Sequence, residues 1–310
     1  MIKLMHINDY VVDTGQFRPL LNDKIVERFE KKIAEYVGAK YACAMNSATN
    51  TIILSLIEKE KTTVTIPSII PPVVPNAVIC AGHDLSFNDN IDWVGNSYVL
   101  HDFGDYKIID SAQQLSKNQF KEQANDGDVM IFSFYPTKPV GSCDGGMFVS
   151  NDKEKVDRIR IISRNGMSLE KNSWERKIIY PGWKFYMNSI QAYIAEQNFH
   201  KLEQKMKRYE EIKEAYNLAF NKSNSSNHLY RISVEDNQSF IASMKEKGIQ
   251  CGIHYAATHL MECYGKMQLD LPKSLIESKT AVSIPYHEML TDEQVEYVIN
   301  EVKNANTSRR

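Results

Sequence analysis

Between Val129 and Asn151 the chain runs Val-Met-Ile-Phe-Ser-Phe-Tyr-Pro-Thr-Lys-Pro-Val-Gly-Ser-Cys-Asp-Gly-Gly-Met-Phe-Val-Ser-Asn. Residues 129–134 and 147–149 are short apolar runs with the length of buried strands, and the Pro- and Gly-punctuated stretch between them reads as a loop. That loop carries one lysine, Lys138. Two readings are open for it. Most lysines are solvated loop cations. An amine held beside a buried strand end is instead desolvated, which lowers its pKa and lets it form a Schiff base. Ser133 stands five residues before this lysine, and the pair Gly145-Gly146 begins seven residues after it.

Upstream, Tyr41-Ala-Cys-Ala-Met45 is a short apolar run that passes directly into Asn46-Ser47-Ala48-Thr49, after which Ile52, Ile53, Leu56 and Ile57 return at helical spacing. Strand, polar turn and helix start follow in order. Such a start presents backbone N–H groups and the positive end of the helix dipole, which suit a phosphate; Ser, Thr and Asn also serve there as plain caps. Lys107-Ile-Ile-Asp110 reads as a strand with Asp110 at its carboxyl end, where open α/β sheets bind ligands. Asp is a common strand terminator as well. Tyr98-Val-Leu-His101 reads as a brief strand just before it, and the residues between leave no room for a helix.

Other elements follow from spacing and caps. Residues 22–36 form a helical pattern with Asn22 or Asp23 as cap and Gly38 as stop. Residues 63–66 read as a strand, and Pro71, Pro72 and Pro75 forbid a regular helix before about Pro75. Residues 185–220 are the longest helical pattern and are expected to join a large domain to a small one. Beyond a polar loop at 221–227, the spacing predicts a strand over 230–234, a helix over 238–247 stopped by Gly248, and a closing helix capped by Thr291. His254 and His259 lack metal-ligand spacing and are substrate-side candidates or ordinary satisfied histidines.

With 310 residues, 43% of them hydrophobic and 25% charged, the chain has the composition of a globular protein of about two domains. The division expected is 1–195 and 196–310. A net charge of −2 gives no footprint for nucleic acid. Cys43, Cys80, Cys143, Cys251 and Cys263 are scattered, with no C-x-x-C pair, so neither zinc nor a disulfide framework is expected. The N-terminus lacks the apolar region of a signal peptide, and no apolar run approaches a membrane span. A cytoplasmic protein bound to no membrane and no metal is expected.

The segment from Ser133 to Gly146 resembles the cofactor-lysine segment of the DegT/DnrJ/EryC1/StrS family, the pyridoxal-phosphate (PLP) aminotransferases of nucleotide-linked keto-sugars. Asn46–Thr49 is similar to the phosphate turn of that family, and Asp110-Ser-Ala-Gln113 to its Asp-x-Ala-Gln/His element. Gly182-Trp-Lys-Phe-Tyr-Met-Asn-Ser-Ile-Gln191 resembles its dimer-interface element, with Lys184 where relatives carry Asn and Tyr186 where they carry Arg. Pro71 stands where relatives place the aromatic ring that stacks on the cofactor.

The resemblance implies an α/β protein of PLP-dependent transferase fold type I, like aspartate aminotransferase: a large domain with a mixed, mostly parallel sheet, and a small C-terminal α+β domain. It implies that Lys138 is catalytic through an internal aldimine. PLP is implied to lie among Ala48, Thr49, Asp110, Gln113, Ser133, Lys138 and Lys184, with Lys184 reaching the phosphate of a partner subunit in a homodimer with shared sites. The reaction implied is transfer of an amino group from L-glutamate to a nucleotide-linked keto-sugar. Relatives that dehydrate sugars carry histidine in place of the lysine. A leading helix and several internal pieces of the family are missing, which marks a trimmed member. These gaps, with Pro71, Lys184 and Tyr186, motivate an alternative: a degenerate, non-catalytic homologue that keeps PLP, or only the fold, for a regulatory or structural role. Joint retention of Lys138, Asp110 and Ser133 opposes it.

Overall fold

A computed structural model describes residues 1–7, 10–21, 23–57, 59–170, 172–265 and 267–307 of the chain. Its elements run α1 (Lys24–Val37), β1 (Tyr41–Met45), α2 (Ala48–Leu56), β2 (Thr63–Pro67), α3 (Val73–Cys80), β3 (Asp84–Asn88), β4 (Tyr98–Asp102), β5 (Lys107–Asp110), α4 (Gln119–Gln123), β6 (Val129–Ser133), β7 (Gly146–Ser150) and α5 (Lys153–Ile162). There follow α6 (Ser189–His200), α7 (Leu202–Phe220), β8 (Tyr230–Ser233), α8 (Asn237–Glu246), α9 (Pro272–Thr280), β9 (Ala281–Ile284) and α10 (Asp292–Thr307). Local chemistry sets several of these bounds. Asp23 caps α1 by accepting the Ile25 N–H at 2.9 Å, Gly38 ends it at φ +79°, and Ile25, Phe29, Ile33 and Val37 bury one face. Asn22, the other cap candidate, lies outside the described residues. Thr291 and Gln294 cap α10 reciprocally.

The central sheet has the strand order β1-β7-β6-β5-β4, and β2 and β3 form a parallel pair. Its residues alternate between two cores: Cys43, Met45, Ile108, Ile131 and Phe148 pack on one side, and Ala44, Ile109, Met130, Phe132, Met147 and Val149 on the other. Burial on both faces is why these strands read as unbroken apolar runs. A third core, drawn from residues 209–302, packs α7, α8 and α10 with the β8–β9 ribbon.

The sheet is mixed, as expected, but less parallel than expected. β5 and β6 pair in parallel, whereas β1 with β7, β6 with β7 and β4 with β5 are antiparallel. The reversal of β4 has a direct cause. Parallel neighbours need a crossover of a dozen or more residues, and only residues 103–106 separate β4 from β5. They form a hairpin turn in which Gly104 takes φ +88° and the Phe103 N–H donates to the Tyr106 carbonyl at 3.0 Å.

Two helices also depart from expectation. α3 starts at Val73 rather than near Pro75, because Pro75 falls in the first turn, where its missing N–H has no helical partner to lose. The pattern over 185–220 is two helices. α6 begins at Ser189 under a capping box between Asn188 and Gln191, and Lys201 separates it from α7. No Gly or Pro marks that break, and one residue shifts the helical phase too little to show in the spacing.

All five cysteines are free thiols. Among the described residues no helix is long and apolar enough to cross a membrane, and no cluster of His, Cys, Asp and Glu is built to hold a metal.

Candidate active site

Strand register gathers the candidate residues on one rim of the sheet. Met45, Gly146 and Ser133 are partners across β1, β7 and β6. Two residues back along β6, Ile131 pairs with Asp110, which is itself opposite Tyr98 on β4. Partners share a face, as do residues two apart, so Asp110 and Ser133 project to the side where Met45, Ile131 and the buried face of α2 pack. Glycine is required at position 146: a Cβ there would lie 2.6 Å from the Ala48 nitrogen and from the Ser47 carbonyl oxygen. α2 therefore begins directly on the strand. The Ser47 hydroxyl caps it by accepting the Asn50 N–H at 3.1 Å, and the N–H groups of Ala48 and Thr49 belong to the open first turn.

After β6 the chain turns back on itself, the Lys138 N–H donating to the Tyr135 carbonyl at 2.8 Å. The turn aims the Lys138 amine at Nε2 of His228, 3.0 Å away. Lys138 keeps partial solvent access. The protein packed around it nevertheless displaces enough water to push its pKa down to about 8, against the opposing pull of Asp110. Asp110 is 3% exposed, and burial pushes its carboxyl upward. Working the other way are the Ala112 N–H on Oδ1 at 2.9 Å, the Tyr98 hydroxyl on Oδ2 at 3.0 Å, and the charge of Lys138.

Gln113 is buried between two partners: it accepts the Gly95 N–H at 2.7 Å and donates through Nε2 to the Tyr255 hydroxyl at 2.7 Å. The Ser133 hydroxyl accepts the Tyr135 N–H at 3.3 Å. Ala48, Thr49, Asp110, Ser133 and Lys138 thus stand around the carboxyl ends of β1, β5 and β6, with Gln113 just beyond. Lys184 does not join them. Its residue is exposed, and its carbonyl accepts the Asn46 side-chain amide at 3.4 Å.

One residue that the sequence did not single out, His228, joins the cluster, and His254, a substrate-side candidate from the sequence, faces the same amine. His228 is 3% exposed, and burial together with Lys138 and His254 pushes it well below the usual histidine range, so it is neutral. Among the described residues its Nδ1 has no hydrogen-bond partner. His254 also faces Lys138, with Nδ1 2.8 Å from the Ser283 hydroxyl, and is pushed down to about 4 by burial, Lys138 and Arg231. His259 is an ordinary core histidine, bonded to the Ser68 hydroxyl at 2.6 Å. The one signal for His228 in the sequence is its place just ahead of the apolar strand β8.

PLP needs a place for a phosphate dianion, a carboxylate beside its ring nitrogen and an amine for its aldehyde. The open turn of α2 over Gly146, the buried Asp110 carboxylate and the partly desolvated Lys138 amine fit those needs. The pattern of the DegT/DnrJ/EryC1/StrS aminotransferase family matches residues 5–89 and 102–303. The chain belongs to this family. It is a PLP-dependent aminotransferase of fold type I.

The UDP-4-amino-4,6-dideoxy-N-acetyl-β-L-altrosamine transaminase of Campylobacter jejuni is 26% identical over 96% of each protein. That alignment runs over 361 positions, more than the 310 residues of this aminotransferase, so gaps fall within it. The spore coat polysaccharide biosynthesis protein SpsC of Bacillus subtilis is also 26% identical, over 90% of this chain and 89% of its own. The aminotransferase PseC of Helicobacter pylori, involved in pseudoaminic acid biosynthesis, shares the fold with a TM-score of 0.80 at 19% identity, over 98% of this chain and 99% of that one.

Proposed function

We propose that this aminotransferase moves an amino group from L-glutamate to a keto-sugar carried on a nucleotide. The observation that supports it is the meeting of a partly desolvated lysine amine, a buried carboxylate and an open helix start at one rim of the sheet. A UDP-sugar transaminase among the relatives suggests the class of acceptor. In this reading Ala48, Thr49 and Ser133 hold the PLP phosphate, Asp110 the ring nitrogen, Gln113 the phenolic oxygen, and Lys138 the aldehyde carbon. Bound PLP supplies the electron-withdrawing ring on which amino transfer depends. Asp110 keeps positive charge at the ring nitrogen, because buried opposite charges favour the ionised form of both. Lys138, with a pKa near 8, takes a proton at Nζ from the substrate carbon and returns one as general base and acid. His228 keeps that amine aimed.

The working unit in this reading is a homodimer with Lys184 directed at the partner's phosphate. Exposed Trp174, Ile178, Ile179 and Trp183 lie beside Lys184 in sequence and form the kind of apolar surface a second subunit covers. In this reading the chain divides at residue 195 into a PLP-binding and a small domain. The separate core at 209–302 supports a second domain, while α6 runs through residue 195 and packs, with Leu202, on the first. The test is a visible absorbance spectrum of the protein with PLP, before and after L-glutamate, beside Lys138→Ala. A band that glutamate abolishes and the variant lacks supports the reading, and a panel of UDP-keto-sugars then reads the acceptor. A band indifferent to glutamate overturns the donor; no band at saturating PLP overturns the site.

A further inference from the structure

We propose that Tyr98 is a positioning residue for Asp110, and that residues 90–101, which carry it, are this chain's own support for the cofactor-facing side chains. The family pattern passes over residues 90–101. With only residues 103–106 between them, β4 runs antiparallel to β5, and that register sets Tyr98 directly opposite Asp110. Directly opposed residues point to the same face. The phenol accordingly donates to Oδ2 at 3.0 Å, while the Ala112 N–H occupies Oδ1.

The phenol is held rather than mobile. Its ring packs on Trp93 with centroids 4.7 Å apart, and the Trp93 indole N–H is anchored on the Ile69 carbonyl at 2.9 Å. From the same segment, the Gly95 N–H holds Gln113, and the Trp93 ring lies within 6° of parallel to that of Tyr255, the other partner of Gln113. One short segment thus braces both residues that face the cofactor ring. Burial and the Asp110 charge push the Tyr98 phenol well above its ordinary range, so it stays protonated and remains a donor. Among the described residues, the titratable groups facing Asp110 are Tyr98, Lys138 and Tyr255.

The inference rests on the proposed role of Asp110, and the experiment separates the two. PLP affinity is measured by equilibrium dialysis for the wild type, Tyr98→Phe, Asp110→Asn and the double variant, from pH 5.5 to 8.5, beside thermal melts of the PLP-free proteins. Removing a hydrogen bond to a buried carboxylate should weaken PLP about tenfold. The defect should widen as pH falls, because a carboxylate without its donor protonates sooner, and it should vanish in the Asp110→Asn background. An equal loss from Tyr98→Phe in both backgrounds makes the residue merely structural and overturns the inference. If Asp110→Asn weakens PLP and Tyr98→Phe does not, this inference alone falls. If Asp110→Asn binds as the wild type does, the role of Asp110 falls and takes the inference with it.

Discussion

Replacing Lys138 with methionine should make the cofactor-free protein more stable at neutral pH. Packing lowers the amine's pKa from its ordinary 10.5 to about 8, so the folded state holds this proton less tightly than the unfolded chain does. Below pH 8 the penalty is present in full; as pH rises from 8 to 10.5 it is relieved, because the folded protein no longer carries the charge. A shift of that size corresponds to about 3 kcal/mol at pH 7, and the partial access of Lys138 to solvent discounts it to about 1–3 kcal/mol. Methionine keeps the apolar stem as far as the lysine ε-carbon and carries no charge to desolvate. It also takes a hydrogen bond from His228, which moves the gain toward the lower end of that range. Urea titrations of both proteins at pH 7 and pH 9.5 measure the effect, which should fall below half its neutral value at the higher pH. A variant less stable at pH 7, or a gain that does not change with pH, refutes the picture of a strained amine. A confirmed gain means that this chain gives up stability to hold its nucleophile ready.

Gly146→Ala should weaken PLP binding by at least about tenfold, or about 1.4 kcal/mol, because its Cβ pushes the start of α2 off β7; unchanged affinity by dialysis excludes that helix start as the phosphate site. Asn188→Ala should cost about 1 kcal/mol in urea titration through loss of the capping box on α6. Asn188→Asp should recover most of it. His228→Phe should lower kcat about tenfold with little change in the KM for glutamate, as misaimed reacting groups do. His228→Gln, which restores a polar partner for the amine, should regain activity, and equal rates for the two variants show that the amine needs no partner.

Much of the site was legible because its signals are local. Pro and Gly around Lys138 mark a turn wherever they occur, Asp110 closes an apolar run, and Asn46–Thr49 joins a strand to a helix within a few residues. Caps such as Asp23, Gly38 and Thr291 act over one turn and were readable for the same reason. What could not be read depends on packing at a distance. His228 lies ninety residues from Lys138 and meets it only because its neighbour Leu229 packs into the core on that face of the central sheet. Tyr255 packs against that same core and so reaches Gln113 from more than a hundred residues away. Strand direction was half visible: the short connection between β4 and β5 excludes a helix, while the resemblance implies a mostly parallel sheet. The break at Lys201 left no trace in composition.

The β4–β5 hairpin bears on how small an enzyme of this architecture can be made. A strand edge offers N–H and carbonyl groups to a neighbour running either way, so β5 accepts a reversed β4 while β6, on its far side, keeps Asp110 in place. Polarity of an outer strand is therefore expendable where the functional residue is fixed from the inner side. Deleting such crossovers is a route to miniature catalysts, and each deletion deals a new side chain opposite the retained residue.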